Sequence, residues 1–156
     1  MSENYTTYYK SPIGYLEIIG SDSGIRELRF TELETAPYSN IPGCLENCIG
    51  QLDEYFSGRR KQFDLQLRYE GTDFQQSVWQ QLLKIQYGQT RTYMDIAIAL
   101  NNPKALRAVG AANGQNPIPI IIPCHRVIGR NGQMIGFGGG IWRKEYLLKH
   151  EKALLL

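Results

Sequence analysis

Cys124 is followed at once by His125 and Arg126, and the run sits behind the stiff apolar stretch Ile120-Ile121-Ile122-Pro123. A thiolate is the competent sulfur nucleophile, and a neighbouring imidazole or guanidinium lowers a thiol's pKa. The three side chains therefore make Cys124 a candidate nucleophile with a base and a fixed positive charge close in sequence. On its own a Cys-His pair is more often a buried structural cysteine, because adjacency along the chain does not make side chains meet. The other two cysteines, Cys44 and Cys48, are four residues apart and share one helix face. A metal site would need two more ligands, and the only other histidine, His150, is far along the chain. Core packing is the reading for this pair, and no metal or cofactor is expected.

Three unevenly placed cysteines do not make a disulfide framework, so free thiols in a reducing compartment, the cytoplasm, are expected. No stretch approaches the roughly 18 uninterrupted apolar residues of a membrane helix, and the first ten residues lack the pattern of a signal peptide. The formal net charge is only +2, but residues 1–71 hold seven Lys/Arg against eleven Asp/Glu, and residues 72–156 hold ten against four. A basic second half suits a polyanion, since each phosphate contact by Lys or Arg releases condensed counterions.

Residues 5–10, 15–19 and 25–30 read as strands separated by Ser11-Pro12-Ile13-Gly14 and Ser21-Asp22-Ser23-Gly24, which predicts a small antiparallel sheet. Apolar residues from Cys44 to Phe56 recur at helical spacing until Ser57-Gly58, and Phe63, Leu65 and Leu67 alternate as a further strand. From Thr72 the pattern turns helical. Thr72 and Gln75 suit a capping box, with Phe74, Val78, Leu82 and Ile85 as the apolar stripe behind it. Residues 93–100 suggest a short helix, and Asn102-Pro103 suggests the N-cap and first position of another running from Lys104 to Ala112, so the two resemble a helix-turn-helix. Residues 115–119 cannot be helical; residues 120–122 form a rigid apolar platform, residues 129–140 a glycine-dense loop, and residues 141–154 a final helix with Tyr146, Leu147 and Leu154 for packing. Two lobes are expected, residues 1–71 and 72–156.

The longer string Asn116-Pro117-Ile118-Pro119-Ile120-Ile121-Ile122-Pro123-Cys124-His125-Arg126-Val127-Ile128-Gly129 strongly resembles the active-site signature of the O6-alkylguanine-DNA alkyltransferases, also called methylated-DNA-protein-cysteine methyltransferases. The resemblance is close from about Phe74 to Glu151 and loose in the first lobe. It implies an α/β protein: a small antiparallel sheet plus helix, then a mainly helical, winged-helix-like DNA-binding lobe with a helix-turn-helix.

The same resemblance implies site roles. Cys124 would attack the alkyl carbon, with a water and His125 linking it to Glu151, and Asn116 would hold the active-site turn. Lys104-Ala105-Leu106-Arg107-Ala108-Val109-Gly110-Ala111-Ala112-Asn113 is similar to the family's recognition helix. Arg107 would fill the gap left by a rotated-out nucleotide, while Lys104, Ala105, Ala108, Ala111, Asn113 and Arg126 would meet DNA. Tyr93 would crowd the phosphate beside the target and hydrogen-bond the flipped base. Gly136-Phe137-Gly138-Gly139-Gly140 matches the pocket loop, with Phe137 and Gly138 where the animal pattern has tyrosine and serine, and Lys144 matches a lysine near it.

The activity implied is that of a monomer that takes an alkyl group from O6-alkylguanine, and from O4-methylthymine, in double-stranded DNA. The transfer is irreversible, single-turnover and cofactor-free. A non-catalytic damage sensor of alkyltransferase-like type is disfavoured because Cys124, His125 and Glu151 are all present. A cysteine hydrolase is disfavoured because no acyl-substrate motif is seen.

Overall fold

The computed structural model describes residues 3–37 and 40–153, and the chain divides into two compact units, Met1–Glu70 and Gly71–Leu156. In the first, β1 (Tyr5–Ser11), β2 (Gly14–Ser21) and β3 (Gly24–Phe30) form an antiparallel meander in the order β1-β2-β3. Helix α1 (Gly43–Phe56) lies against this sheet and buries Leu45, Cys48, Leu52 and Tyr55 with Ile13, Leu16, Ile18, Ile25 and Leu28. Cys48 is thus a core residue and its thiol is pushed up to about 12 by burial, while Cys44 is only half-buried.

The strand expected around Phe63, Leu65 and Leu67 does not form. Leu67 makes a single bridge to Ile25, with hydrogen bonds from Ile25 N to Gln66 O (2.8 Å) and from Arg68 N to Ile25 O (2.7 Å). The reason lies in α1: the Gln51 side chain donates to Asp64 O (2.9 Å) and accepts from Asp64 N (2.8 Å), taking the groups a neighbouring strand would have used. At Gly24, with φ +145°, an added Cβ would stand 2.6 Å from Gln66 O, so this crossing requires glycine.

The second unit is mainly helical: α2 (Asp73–Leu82), β4 (Arg91–Thr92), α3 (Tyr93–Ala99), α4 (Leu106–Gly114), β5 (Val127–Ile128) and α5 (Ile141–His150). The Thr72/Gln75 capping box opens α2, and a second box, Thr92/Asp95, opens α3. Trp79 on α2 is buried and donates Nε1–H to Ala112 O at 2.8 Å, which locks α2 to α4.

Helix α4 starts later than expected. Asn102 O accepts from Ala105 N (3.0 Å), so Asn102-Pro103-Lys104-Ala105 is a turn with proline at its second position, and Lys104 and Ala105 precede the helix. Helix α5 ends at His150 rather than running to Leu154, which lies outside the described residues. Lys152 takes φ +60° while Lys152 N bonds Lys149 O (3.0 Å) and Ala153 N bonds Leu148 O (2.8 Å), a Schellman stop. Among the described residues no helix is long and apolar enough to cross a membrane.

Candidate active site

Cys124 opens a short 3-10 turn, Cys124–Arg126, that packs against α2 and α5. The preceding platform is a turn rather than a strand: Ile122 N bonds Ile118 O at 2.8 Å, and Ile120 sits at φ +75°, where a β-branched residue is rarely found. Asn116 holds it. Its Nδ2 donates to Ile122 O (2.7 Å), its Oδ1 accepts from Ile118 N (3.0 Å), and its side chain also hydrogen-bonds toward the Cys124 thiol. β4 and β5 pair in parallel, Arg91 with Val127 and Thr92 with Ile128, which ties the start of α3 and its Tyr93 to the residues just after Cys124. Two-residue strands leave no periodicity to read in a sequence.

His125, Arg126 and Glu151 form one buried cluster. His125 Nε2 lies 2.8 Å from Glu151 Oε2; Arg126 donates from Nε to Glu151 Oε1 (2.8 Å), from Nη2 to Oε2 (3.0 Å) and from Nη1 to Ile85 O (2.6 Å). Burial by itself would raise the Glu151 carboxyl, but the hydrogen bonds and charges of His125 and Arg126 outweigh it and hold the group well below the usual carboxylate range. A carboxylate only accepts, so the proton on this side of the imidazole belongs to Nε2 and Nδ1 is the acceptor. Nδ1 is buried and has no hydrogen-bond partner among the described residues. Burial lowers the His125 pKa despite the help of Glu151, so the ring is neutral near pH 7.

The structure corrects two expectations for the residues around the thiol. Arg126, expected to meet DNA, is buried, and its guanidinium is engaged by Glu151 and Ile85. Nor does it activate the thiol. Cys124, 4% exposed, is pushed up to about 11 by burial; what lowers it in part is Asn116, the charge of Lys144, and backbone N–H groups. Lys144 is fully buried, so a solvated surface role is excluded. Its ammonium donates to Val127 O (2.5 Å) and Ile135 O (2.8 Å), and burial lowers its own pKa to about 8.

Tyr93 donates its hydroxyl to the same Ile135 carbonyl at 3.0 Å. Burial, then the neighbouring Cys124, raise this phenol, and a hydrogen bond from Asn113 acts the other way. Gly136 follows with φ +68°, where a Cβ would lie 2.9 Å from the Tyr93 hydroxyl. A cavity of about 930 Å³ lies alongside, lined by Tyr93, Met94, Leu106, Gly110, Ile135 and Gly136 among others. Phe137 is half-buried and Gly138 exposed on the loop before α5, and neither is among the residues lining this cavity.

On α4, Arg107, Ala108 and Ala111 are exposed along one face, Lys104 is exposed in the turn before it, and Ala105 is half-buried. Asn113, expected on the DNA side, is instead 2% exposed, with Nδ2 3.5 Å from Cys124 O, so it belongs to the interior beside the active-site turn. The basic excess is also smaller at the surface than in the sequence, since Arg126, Arg143 and Lys144 are buried.

Residues 73–153 match the family described as "6-O-methylguanine DNA methyltransferase, DNA binding domain", and residues 4–69 match its "ribonuclease-like domain". The chain is 49% identical over 147 residues to the methylated-DNA–protein-cysteine methyltransferase of Mycobacterium bovis, covering 92% of this chain and 89% of the relative. With that of Methanosarcina barkeri the identity is 47% over 155 residues, covering 95% and 97%. Among solved structures, Mycobacterium tuberculosis OGT in complex with DNA superposes with a TM-score of 0.85 at 48% identity, covering 96% of this chain and 92% of that one.

Proposed function

Because the chain belongs to the 6-O-methylguanine DNA methyltransferase family, we propose that it reverses DNA damage by moving an alkyl group from O6-alkylguanine, and from O4-methylthymine, onto Cys124. The observation that carries this reading is the buried His125–Glu151 pair immediately after a buried cysteine on a braced turn.

A thiol near pKa 11 is almost wholly protonated at neutral pH, so the reaction needs a base. The neutral His125 accepts the thiol proton at Nδ1, directly or through a water, and Glu151 stabilises the resulting imidazolium. The Cys124 sulfur then displaces guanine at the methyl carbon: the S–C bond forms, the C–O6 bond breaks, and the electron pair leaves on O6. Guanine recovers its keto form by taking a proton at N1, which balances the one lost by the thiol. The thioether does not regenerate a thiolate, so each molecule reacts once, and no cofactor takes part.

A stacked base cannot present its O6 substituent to a sulfur inside a protein, so the nucleotide must rotate out. The exposed face of α4 supports docking on DNA, with Ala108 and Ala111 allowing close approach, Arg107 entering the base stack, and Lys104 meeting phosphate. Binding of DNA by the Mycobacterium tuberculosis relative supports the same partner here. Tyr93, Gly138 and Phe137 are assigned to the flipped base and its pocket loop, and Lys144 to steadying that loop and the thiolate. The second unit holds every one of these groups, so the protein acts as a monomer, and its three free cysteines fit the reducing cytoplasm.

The test is intact-protein and peptide mass spectrometry after incubation with a duplex bearing one O6-methylguanine, beside Cys124→Ala and an undamaged duplex. One methyl group on the Cys124 peptide with equimolar repaired guanine is expected. Binding of the damaged duplex with Cys124 left unmodified would refute the transfer and leave a damage sensor.

A further inference from the structure

Glu151 stands one residue past the end of α5, where a helix ordinarily frays, yet its carboxylate lies 2.8 Å from His125 and has to stay there. What fixes it is the stretch of chain that follows α2. Ile85 O accepts from Arg126 Nη1 at 2.6 Å. Two residues on, the Tyr87 ring faces the same guanidinium, with Cζ 5.9 Å from the ring centroid, within the reach of a cation–π contact. The Tyr87 hydroxyl donates to His150 O at 3.4 Å, and that carbonyl belongs to the last turn of α5, whose carbonyls the helix itself leaves unpaired. Burial and the charge of Glu151 raise the Tyr87 phenol, so its hydroxyl stays protonated and able to donate. At Gly88 an added Cβ would stand 3.3 Å from Glu151 O, so the chain runs close past the end of α5.

We infer that Tyr87 is a positioning residue for the transfer reaction: its ring supports the Arg126 guanidinium and its hydroxyl ties down the end of α5, so that Glu151 keeps its hold on His125. The inference rests on the alkyl-transfer reading. Tyr87 is not among the residues lining the 930 Å³ cavity, and its influence passes through its two neighbours. One link runs to the guanidinium that grips both carboxylate oxygens, the other to the backbone beside Glu151. When His125 takes the thiol proton, the imidazolium that forms depends on that carboxylate. A partner that orients a catalytic group in this way affects the rate without touching the substrate.

The experiment follows, by NMR of isotopically labelled protein, the exchange with water of the His125 ring Nε2–H, beside the single-turnover rate constant for transfer from a duplex bearing O6-methylguanine. The protein has two histidines, so a His150→Gln protein assigns the signal. The buried Trp79 indole N–H, bonded to Ala112 O, is the internal control. Tyr87→Leu should speed exchange of the His125 proton by roughly threefold to tenfold, leave that of Trp79 unchanged, and slow transfer by a similar factor. Tyr87→Phe, which keeps the ring and loses the hydroxyl, should fall between leucine and wild type. Exchange at the wild-type rate in the leucine variant overturns the inference. So does equal acceleration of the His125 and Trp79 protons, the result that lost packing alone would give. Should the leucine variant not fold, the phenylalanine variant decides by the same two signals: acceleration at His125 alone supports the inference, and no change or an equal change overturns it. A wild type that transfers nothing removes the alkyl-transfer reading; a wild type that transfers, with His125 exchange unaltered in the variant, removes the inference alone.

Discussion

The Arg126 guanidinium grips both oxygens of the Glu151 carboxylate, at 2.8 Å and 3.0 Å, while His125 Nε2 shares one of those oxygens at 2.8 Å. The carboxylate is thereby fixed at two points and kept ionised, and the imidazole it holds has one tautomer, with its acceptor on Nδ1. Arg126 acts as a positioning residue: it touches Glu151, and through it the base.

Removing one partner from such a buried pair leaves the other charge without compensation. Arg126→Met should therefore destabilise the protein by about 3–5 kcal/mol, read from urea unfolding. Loss of less than about 1 kcal/mol would show that Glu151 finds another partner or protonates at small cost.

The same cluster sets the acid limb of stability. His125 titrates in the folded protein below its ordinary value of 6.5, and Glu151 below its ordinary 4.5, so in both cases the unfolded chain binds more protons as the pH falls. The cluster's contribution to stability should be complete above about pH 6.5, begin to fall below it, and fall more steeply below about pH 4.5. Glu151→Gln should flatten the steeper part, as measured by urea midpoints across this range. Equal slopes below pH 4.5 in the two proteins would contradict the assignment.

Lys144 is the cation that acts on Cys124. Lys144→Met should move the pH midpoint for alkylation of Cys124 by iodoacetamide upward and slow the reaction at pH 7.5 by about tenfold or more. Peptide mass spectrometry confines the readout to Cys124. An unchanged midpoint would place the activating charge elsewhere.

Arg107 is exposed, so Arg107→Ala should leave folding stability within about 0.5 kcal/mol of the wild type. If it fills the gap in the base stack, transfer from duplex O6-methylguanine should slow on the order of tenfold to a hundredfold, since unstacking costs a few kcal/mol. Transfer from a single-stranded oligonucleotide, where little stacking is lost, should change far less. Equal losses on both substrates would instead assign Arg107 to general phosphate attraction.

Patterns carried by short stretches of chain are readable without the fold. The meander of β1 to β3, the helix α1 and the Thr72/Gln75 cap depend on turn residues, periodicity and side-chain-to-backbone bonds within a few residues. Asn116 and Cys124 belong to one contiguous signature, so their partnership is legible as a resemblance. Less legible are the ends of elements. Asn102-Pro103 suits a helix start and a turn equally well, and the Asn102–Ala105 hydrogen bond selects the turn; Lys152 in a Schellman stop has no signal of the glycine kind.

By itself, then, the sequence determined which residue types were available and which local elements would form, because those depend on near neighbours. Tertiary structure alone decided what several of the charged and polar groups do. Arg126 and Asn113 looked equally fit for DNA, and Lys144 was placed only near the pocket loop; burial and partners 25, 11 and 17 residues away gave them Glu151, the Cys124 carbonyl and Val127. Burial also reversed the expectation for the thiol. Adjacent cations in a sequence suggest activation, but desolvation is a property of the whole surrounding core, and it is the largest influence on Cys124.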